Sequence, residues 1–151
     1  EVVFQGLKVE IETIYRFVEN SGEIQITRRV INTSDPSAKV TVDEFLTACW
    51  GTNEYPEDMT GCVLAIEDTN GKREEVVYEY RCREKNIANA ARAEALVPMI
   101  QTHVSLVPQG EACGSYYEEG YSFAPNLKIG ISKEIGLNEE LTTCLKLEKA
   151  K

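Results

Sequence analysis

LKVEIETIYRFVENSGEIQITRRV, residues 7–30, decides the fold. From Leu7 to Val18 the odd positions hold Val9, Ile11, Thr13, Tyr15 and Phe17, while Lys8, Glu10, Glu12 and Arg16 take even ones. Successive side chains of a strand point to opposite faces, so period-two alternation marks a half-buried strand, here with its odd face inward. Asn20, Ser21 and Gly22 follow; residues of these types tolerate the positive φ of a tight reversal. Beyond them Ile24, Ile26 and Val30 alternate against Gln25, Thr27 and Arg29. The segment therefore predicts a long antiparallel hairpin.

The same period extends outward. Residues 32–38 (NTSDPSA) form a polar loop, and a strand resumes over Lys39–Trp50. There Val40 and Val42 share one parity and Phe45 the other, which predicts a β-bulge near Asp43-Glu44. A loop over 51–60 (GTNEYPEDMT) leads to a strand over Gly61–Glu67, and Asp68-Thr69-Asn70-Gly71 is a hairpin turn. Val76, Tyr78, Tyr80 and Cys82 then mark one face of a strand over Arg73–Arg83. The alanine-rich stretch Lys85–Ala95 reads either as a short helix or as a loop running into a strand. Met99–Val107 alternates again, and Pro108–Ser122, rich in Gly, Glu and Tyr, reads as a second long loop. Leu127, Ile129 and Ile131 mark a strand, Gly136-Leu137-Asn138 a turn, and Leu141, Thr143, Leu145 and Leu147 the last strand. Eight or nine strands with at most one short helix must bury their apolar faces against one another. The expectation is an all-β, antiparallel, two-layer β-sandwich of jelly-roll-like form, with residues 1–151 as a single domain.

Composition narrows the classes. The chain has 151 residues, is 42% hydrophobic, and carries 25 acidic against 16 basic side chains, a formal charge of −9. That is too apolar for a disordered chain and too acidic for a nucleic-acid or anionic-membrane ligand, both of which are gripped through Lys and Arg. No apolar run is long enough to span a bilayer. The five cysteines (Cys49, Cys62, Cys82, Cys113 and Cys144) contain no CxxC, and one histidine, His103, accompanies them. Local spacing thus assembles neither a zinc site nor a redox motif. Most of these cysteines are expected to be reduced and buried, and their odd number suggests a reducing, cytoplasmic setting. The opening EVVFQG, residues 1–6, is similar to the recognition sequence of rhinovirus-type 3C proteases, departing at Val3 and at the following Leu7. It reads more readily as a native short strand ending at Gly6 than as an appended cleavage site.

Two loops carry the candidate chemistry. One holds Trp50, Asn53 and Tyr55, with Glu54 and Asp58; the other holds Tyr116, Tyr117 and Tyr121, with Glu118 and Glu119. Flat aromatic faces with a polar edge suit stacking on the C–H face of a sugar, while neighbouring amides and carboxylates bond its hydroxyls. Trp50, Asn53, Tyr55, Tyr116, Tyr117 and Tyr121 are therefore the expected ligand-binding residues. Each also has a plain structural reading: Trp50 as a core plug, Tyr55 packing its loop down, Glu118-Glu119 as a solvated turn. No catalytic residue is assigned. Glu54, Asp58, Glu118 and Glu119 are the weak candidates for a carboxylate pair, which glycoside chemistry needs at a defined separation. No calcium-loop ladder, metal site, cofactor fingerprint or nucleophile motif is present, and His103 reads as a strand histidine.

The hairpin KVEIETIYRFVENSGEIQITRRVINTSDPSAKV (8–40), with the strand ending at Trp50-Gly51, resembles part of the β-sandwich of galactose-mutarotase-like domains and of accessory domains in carbohydrate-active enzymes. The resemblance covers less than a third of the chain. Mutarotases use histidines together with a glutamate, so a chain with one histidine does not inherit that activity. What it implies is only a sandwich from a carbohydrate-processing system. With no catalytic constellation and two aromatic loops, the expectation is a non-catalytic accessory domain or small subunit, partnered by a carbohydrate ligand and a larger enzyme. The alternatives are an independent sugar- or glycoside-acting enzyme using the loop carboxylates, and a structural sandwich that self-associates through its tyrosine-rich loops as a homo-oligomer.

Overall fold

The structure is a computed structural model that describes residues 2–4, 6–48, 61–79, 83–119 and 126–150. Eight strands form one sheet: β1 (Val2–Phe4), β2 (Leu7–Val18), β3 (Glu23–Thr33), β5 (Val63–Asp68), β6 (Arg73–Val77), β8 (Ala90–Val97), β9 (Thr102–Pro108) and β12 (Glu140–Lys149). Four more, β4 (Val40–Ala48), β7 (Arg83–Ile87), β10 (Cys113–Glu119) and β11 (Asn126–Ile135), form the other. The large sheet runs β1-β2-β3-β12-β9-β8-β5-β6 and the small one β4-β11-β10-β7, every strand pair being antiparallel. The two-layer, antiparallel β-sandwich expected from alternation is the architecture observed. Its helical content among the described residues is a single 3-10 turn, Pro98–Ile100.

The deciding hairpin forms over the expected residues. Asn20 and Gly22 take φ of 61° and 68°. A Cβ on Gly22 would stand 2.9 Å from the carbonyl oxygen of Leu147, so glycine is required there for space as well as for φ. One inward row crosses six strands as successive partners: Phe17, Ile24, Leu145, Leu106, Ala93 and Ile66. Burial along it is uneven. Leu106, Ala93 and Ile66 are fully buried, whereas Phe17 is 74% exposed and Tyr15, on the same face, 56%. Four strands cannot cover eight: β10 and β11 pack on β5, β8, β9 and β12, which leaves the far end of β2 open. The inward face expected for β2 is thus buried at Val9 but not at Tyr15 or Phe17.

The core lies between β5, β8, β9 and β12 on one side and β11 on the other. It holds Leu64, Ile66, Leu106, Leu141, Ile129 and Ile131, each contributing roughly 1.5–3 kcal/mol by leaving water.

Several local expectations are corrected. Twelve strands occur among the described residues, where eight or nine were expected. Lys85–Ala95 is not a helix: it holds the end of β7, a short turn and most of β8, close to the expected alternative of a loop running into a strand. Ala90, Ala93 and Ala95 are buried under the second layer, where small side chains let the sheets approach. Residues 113–119, expected in a loop, form β10. The glycine that suggested a loop, Gly114, is a close-packing residue: a Cβ there would lie 2.7 Å from Ala90 Cβ and 2.8 Å from Ile66 Cγ2. No bulge interrupts β4 near Asp43-Glu44, which pairs continuously with β11 from Val40 to Ala48. The register shifts lie instead at Glu10/Ile11 and Glu67/Asp68. In β4 it is Glu44 that faces inward, tied to Arg28 of the large sheet at 2.9 Å, and Phe45 that faces out.

Among the described cysteines only Cys62 is buried; Cys144 is half-buried and Cys113 exposed, and all three are free thiols. Burial pushes the Cys62 thiol up to about 11. The expectation that most cysteines are buried therefore fails at Cys113, which stands on the outward parity of β10. Cys49 and Cys82 lie outside the described residues.

Candidate functional site: the outer face of the small sheet

The outer face of the four-stranded sheet forms an open groove of about 490 Å³, bordered by Asp43, Phe45, Glu84, Asn86, Tyr117 and Lys128 among others. Strand register builds it row by row. Asn86, Ser115, Gly130 and Phe45 are successive cross-strand partners, and so are Glu84, Tyr117, Lys128 and Thr47. Gly130 lets the first row work: the Phe45 ring occupies the space a Cβ at position 130 would need, so the ring covers the strand opposite rather than standing up from it. Lys128 lies 5.4 Å from the centre of the Phe45 ring and 5.9 Å from that of Tyr117. Each such cation–π contact is worth roughly 0.5–1 kcal/mol at an exposed site.

The groove thus offers two aromatic surfaces linked by an ammonium, with an amide (Asn86), hydroxyls (Ser115, Ser132) and carboxylates (Asp43, Glu84) around them. Burial pushes the Asp43 carboxyl up, against the lowering influence of Arg28 and Lys128. This set can stack on an apolar ring face and exchange hydrogen bonds with hydroxyls.

Of the residues nominated from sequence, Tyr117 stands in this groove. Tyr116 borders it but packs against the core from the inward parity of β10. Glu118 is not a solvated turn residue. It is fully buried, accepts Arg83 Nε at 2.8 Å and Nη2 at 2.6 Å on Oε2, and accepts the Glu79 N–H at 2.9 Å on Oε1. Glu119 ends β10. Trp50, Asn53, Glu54, Tyr55, Asp58 and Tyr121 lie outside the described residues.

Four strands of the small sheet end close together. Ala48, Leu127, Glu118 and Arg83 are successive partners across the small sheet, and Glu119 pairs with Asn126. These positions form one end of the small sheet, next to the Lys128–Tyr117 row.

Sequence reasoning missed Phe45, Lys128, Asn86, Ser115, Asp43 and Glu84. Two signals pointed to them: Phe45 breaks the parity of β4, and a glycine, Gly130, stands inside the strand marked by Leu127, Ile129 and Ile131. His103 is a strand residue on the outer face of the large sheet, its Nε2 2.9 Å from Glu94 Oε2.

Fold and groove together define an antiparallel β-sandwich with an aromatic, polar-edged trough on its smaller sheet. No protein-family model and no curated protein sequence matches the chain. Solved structures do share its fold. The putative mutarotase YeaD from Salmonella typhimurium matches over 92% of this chain at 7% identity and TM-score 0.54. The Slr1438 protein from Synechocystis sp. PCC 6803 matches over 93% at 11% identity and TM-score 0.53, and the HI1317 protein over 84% at 10% and 0.52. The chain shares the β-sandwich fold of these structures, and it spans about half their length: 53%, 55% and 52% respectively.

Proposed function

We propose that this chain is a non-catalytic β-sandwich, an accessory domain or small subunit of a carbohydrate-active enzyme, that holds a neutral sugar in the groove of its small sheet. The observation that carries the reading is the Phe45 ring lying over Gly130 beside Tyr117, with Asn86 and Ser115 in the same row. A sugar stacked there by its C–H face finds amide and hydroxyl partners without rearranging the sheet. The fold shared with a putative mutarotase supports a sugar-related setting. The nominated carboxylate Glu118 is buried on Arg83, which favours a structural over an acid–base role. Three free thiols among the described residues agree with a reducing, cytoplasmic compartment. No helix among the described residues is long and apolar enough to cross a membrane.

The test is titration of the purified chain with neutral mono- and oligosaccharides, followed by backbone amide shifts. Binding should perturb residues 84–86, 115–117 and 128–130, and Phe45→Ala or Tyr117→Ala should weaken it by about three- to tenfold, the worth of one aromatic contact. Saccharide turnover by the isolated chain, abolished by Glu54→Gln or Glu118→Gln in a folded variant, would overturn the reading in favour of an enzyme.

A further inference from the structure

The large sheet carries a second polar depression on its own outer face. It holds about 260 Å³ and is lined by Ile14, Arg16, Gln25, Thr27, Arg29, Gln109, Glu140 and Thr142. Register again sets the arrangement. Ile14, Thr27 and Thr142 are successive partners across β2, β3 and β12, and Gln109 is bound to the last of these by its N–H on the Thr142 carbonyl at 2.8 Å. Arg16 lies opposite Gln25, and Arg29 opposite Glu140.

The two arginines differ in what already holds them. Arg29 is locked by Glu140, which accepts its Nε at 3.0 Å and Nη2 at 2.7 Å. Arg28, Arg73, Arg83 and Arg92 likewise each have a carboxylate within 4 Å. Arg16 alone among the described arginines has no ion pair. In a chain of formal charge −9 an unpaired guanidinium is out of keeping with its surroundings. It stands at the rim of a floor made by two hydroxyls, Thr27 and Thr142, bonded to each other at 2.8 Å. That floor, flanked by the Gln25 and Gln109 amides, is suited to a hydroxyl-rich ligand. The Ile14 side chain, 42% exposed, supplies an apolar contact. Glu12 is opposite Arg29 in the register but does not line the depression.

We infer that this depression binds a sugar bearing a carboxylate, a uronate, with Arg16 taking the carboxylate through its planar fork and the Thr27–Thr142 floor and flanking amides taking the ring hydroxyls. Guanidinium and carboxylate match in bidentate geometry, and a charge-assisted pair is about twice as strong as a neutral hydrogen bond. The volume suits a single ring, being below the roughly 300–1,000 Å³ of drug-sized sites. This site lies on the opposite sheet from the neutral-sugar groove and does not depend on it.

The experiment compares D-glucuronate, D-glucose and inorganic sulfate as probes of the full chain, by calorimetry and by the shift of the Arg16 Nε–H. Glucuronate should bind and shift that resonance, and Arg16→Gln should weaken it at least about tenfold while leaving the melting temperature unchanged, since Arg16 is exposed. Thr27→Val should weaken glucuronate without changing the weaker affinity for sulfate. Glucuronate binding that survives Arg16→Gln, sulfate binding as tightly as glucuronate, glucose binding as well as glucuronate, or no glucuronate binding would each overturn the inference. Tyr117→Ala should not affect this site, so failure of the neutral-sugar groove and failure of the uronate site are read separately.

Discussion

Phe45 covers Gly130, its direct partner on the neighbouring strand, and leaves no room there for a side chain. The pair makes the groove's aromatic surface out of a backbone position, so Gly130→Ala should act on the ring rather than on the fold alone. We expect it to displace Phe45, cost about 1–3 kcal/mol by overpacking, and lower neutral-sugar affinity as much as Phe45→Ala does. Chemical denaturation together with saccharide titration checks both halves; wild-type affinity in Gly130→Ala would dissociate the ring from binding.

Glu118, fully buried, is paired with the half-buried Arg83 at one end of the small sheet. Removing Arg83 takes two charge-assisted hydrogen bonds from the buried Glu118 carboxylate, so Arg83→Met should destabilise the chain by about 1.5–3 kcal/mol. The double variant Arg83→Met/Glu118→Leu should recover much of that loss. A double variant no more stable than Arg83→Met would show that the pair does not act as a unit.

Gly114 faces Ala90 and Ile66 across the layers, at 2.7 and 2.8 Å from where its Cβ would be. Gly114→Ala should cost about 1–3 kcal/mol, and adding Ala90→Gly should recover part of it. Full stability of the single variant, measured by urea unfolding, would contradict the packing described.

Glu94 is buried on the outer face of the large sheet between Arg73 and His103. Burial alone would raise its carboxyl, but Arg73 first and then His103 outweigh burial and hold it below the usual range of about 4.5. A carboxyl whose folded pKa is depressed stabilises the fold above its unfolded pKa and loses that contribution as pH falls through the folded value. Wild type and Glu94→Gln should therefore differ most above about pH 5 and converge in strong acid. Melting temperatures measured from pH 7 down to 2 test this, and a gap that stays constant would count against it.

Asp43 shows the opposite sign. Burial raises its carboxyl in the folded state, so the stability it lends is present at low pH and is lost as pH rises through the folded value. Asp43→Asn should thus raise the neutral-pH melting temperature slightly and make no difference below about pH 3.5, under the usual carboxylate range. A destabilised Asp43→Asn at pH 7 would show that its charge is compensated in the fold.

Much of the fold was legible because alternation is local. Val9 and Ile11 against Lys8 and Glu10, then Asn20 and Gly22 at the reversal, specify a strand and its turn with no knowledge of anything distant. The candidate site was less legible. Tyr117 was found by its residue type, but Phe45 looked like a register error and Gly130 like a weak strand position. The two make sense only once β4 and β11 are paired.

Amino-acid order by itself determined that the chain is predominantly antiparallel β and where its deciding hairpin turns. Tertiary structure alone decided which alternating faces are covered. It buried Leu106 and left Phe17 bare, drew Glu44 inward to Arg28 and turned Phe45 out, and converted an expected loop into β10. The reason is physical: a strand's two faces are set by neighbouring residues, but what lies against each face is set by strands far away in the chain, and a four-stranded layer can cover only part of an eight-stranded one.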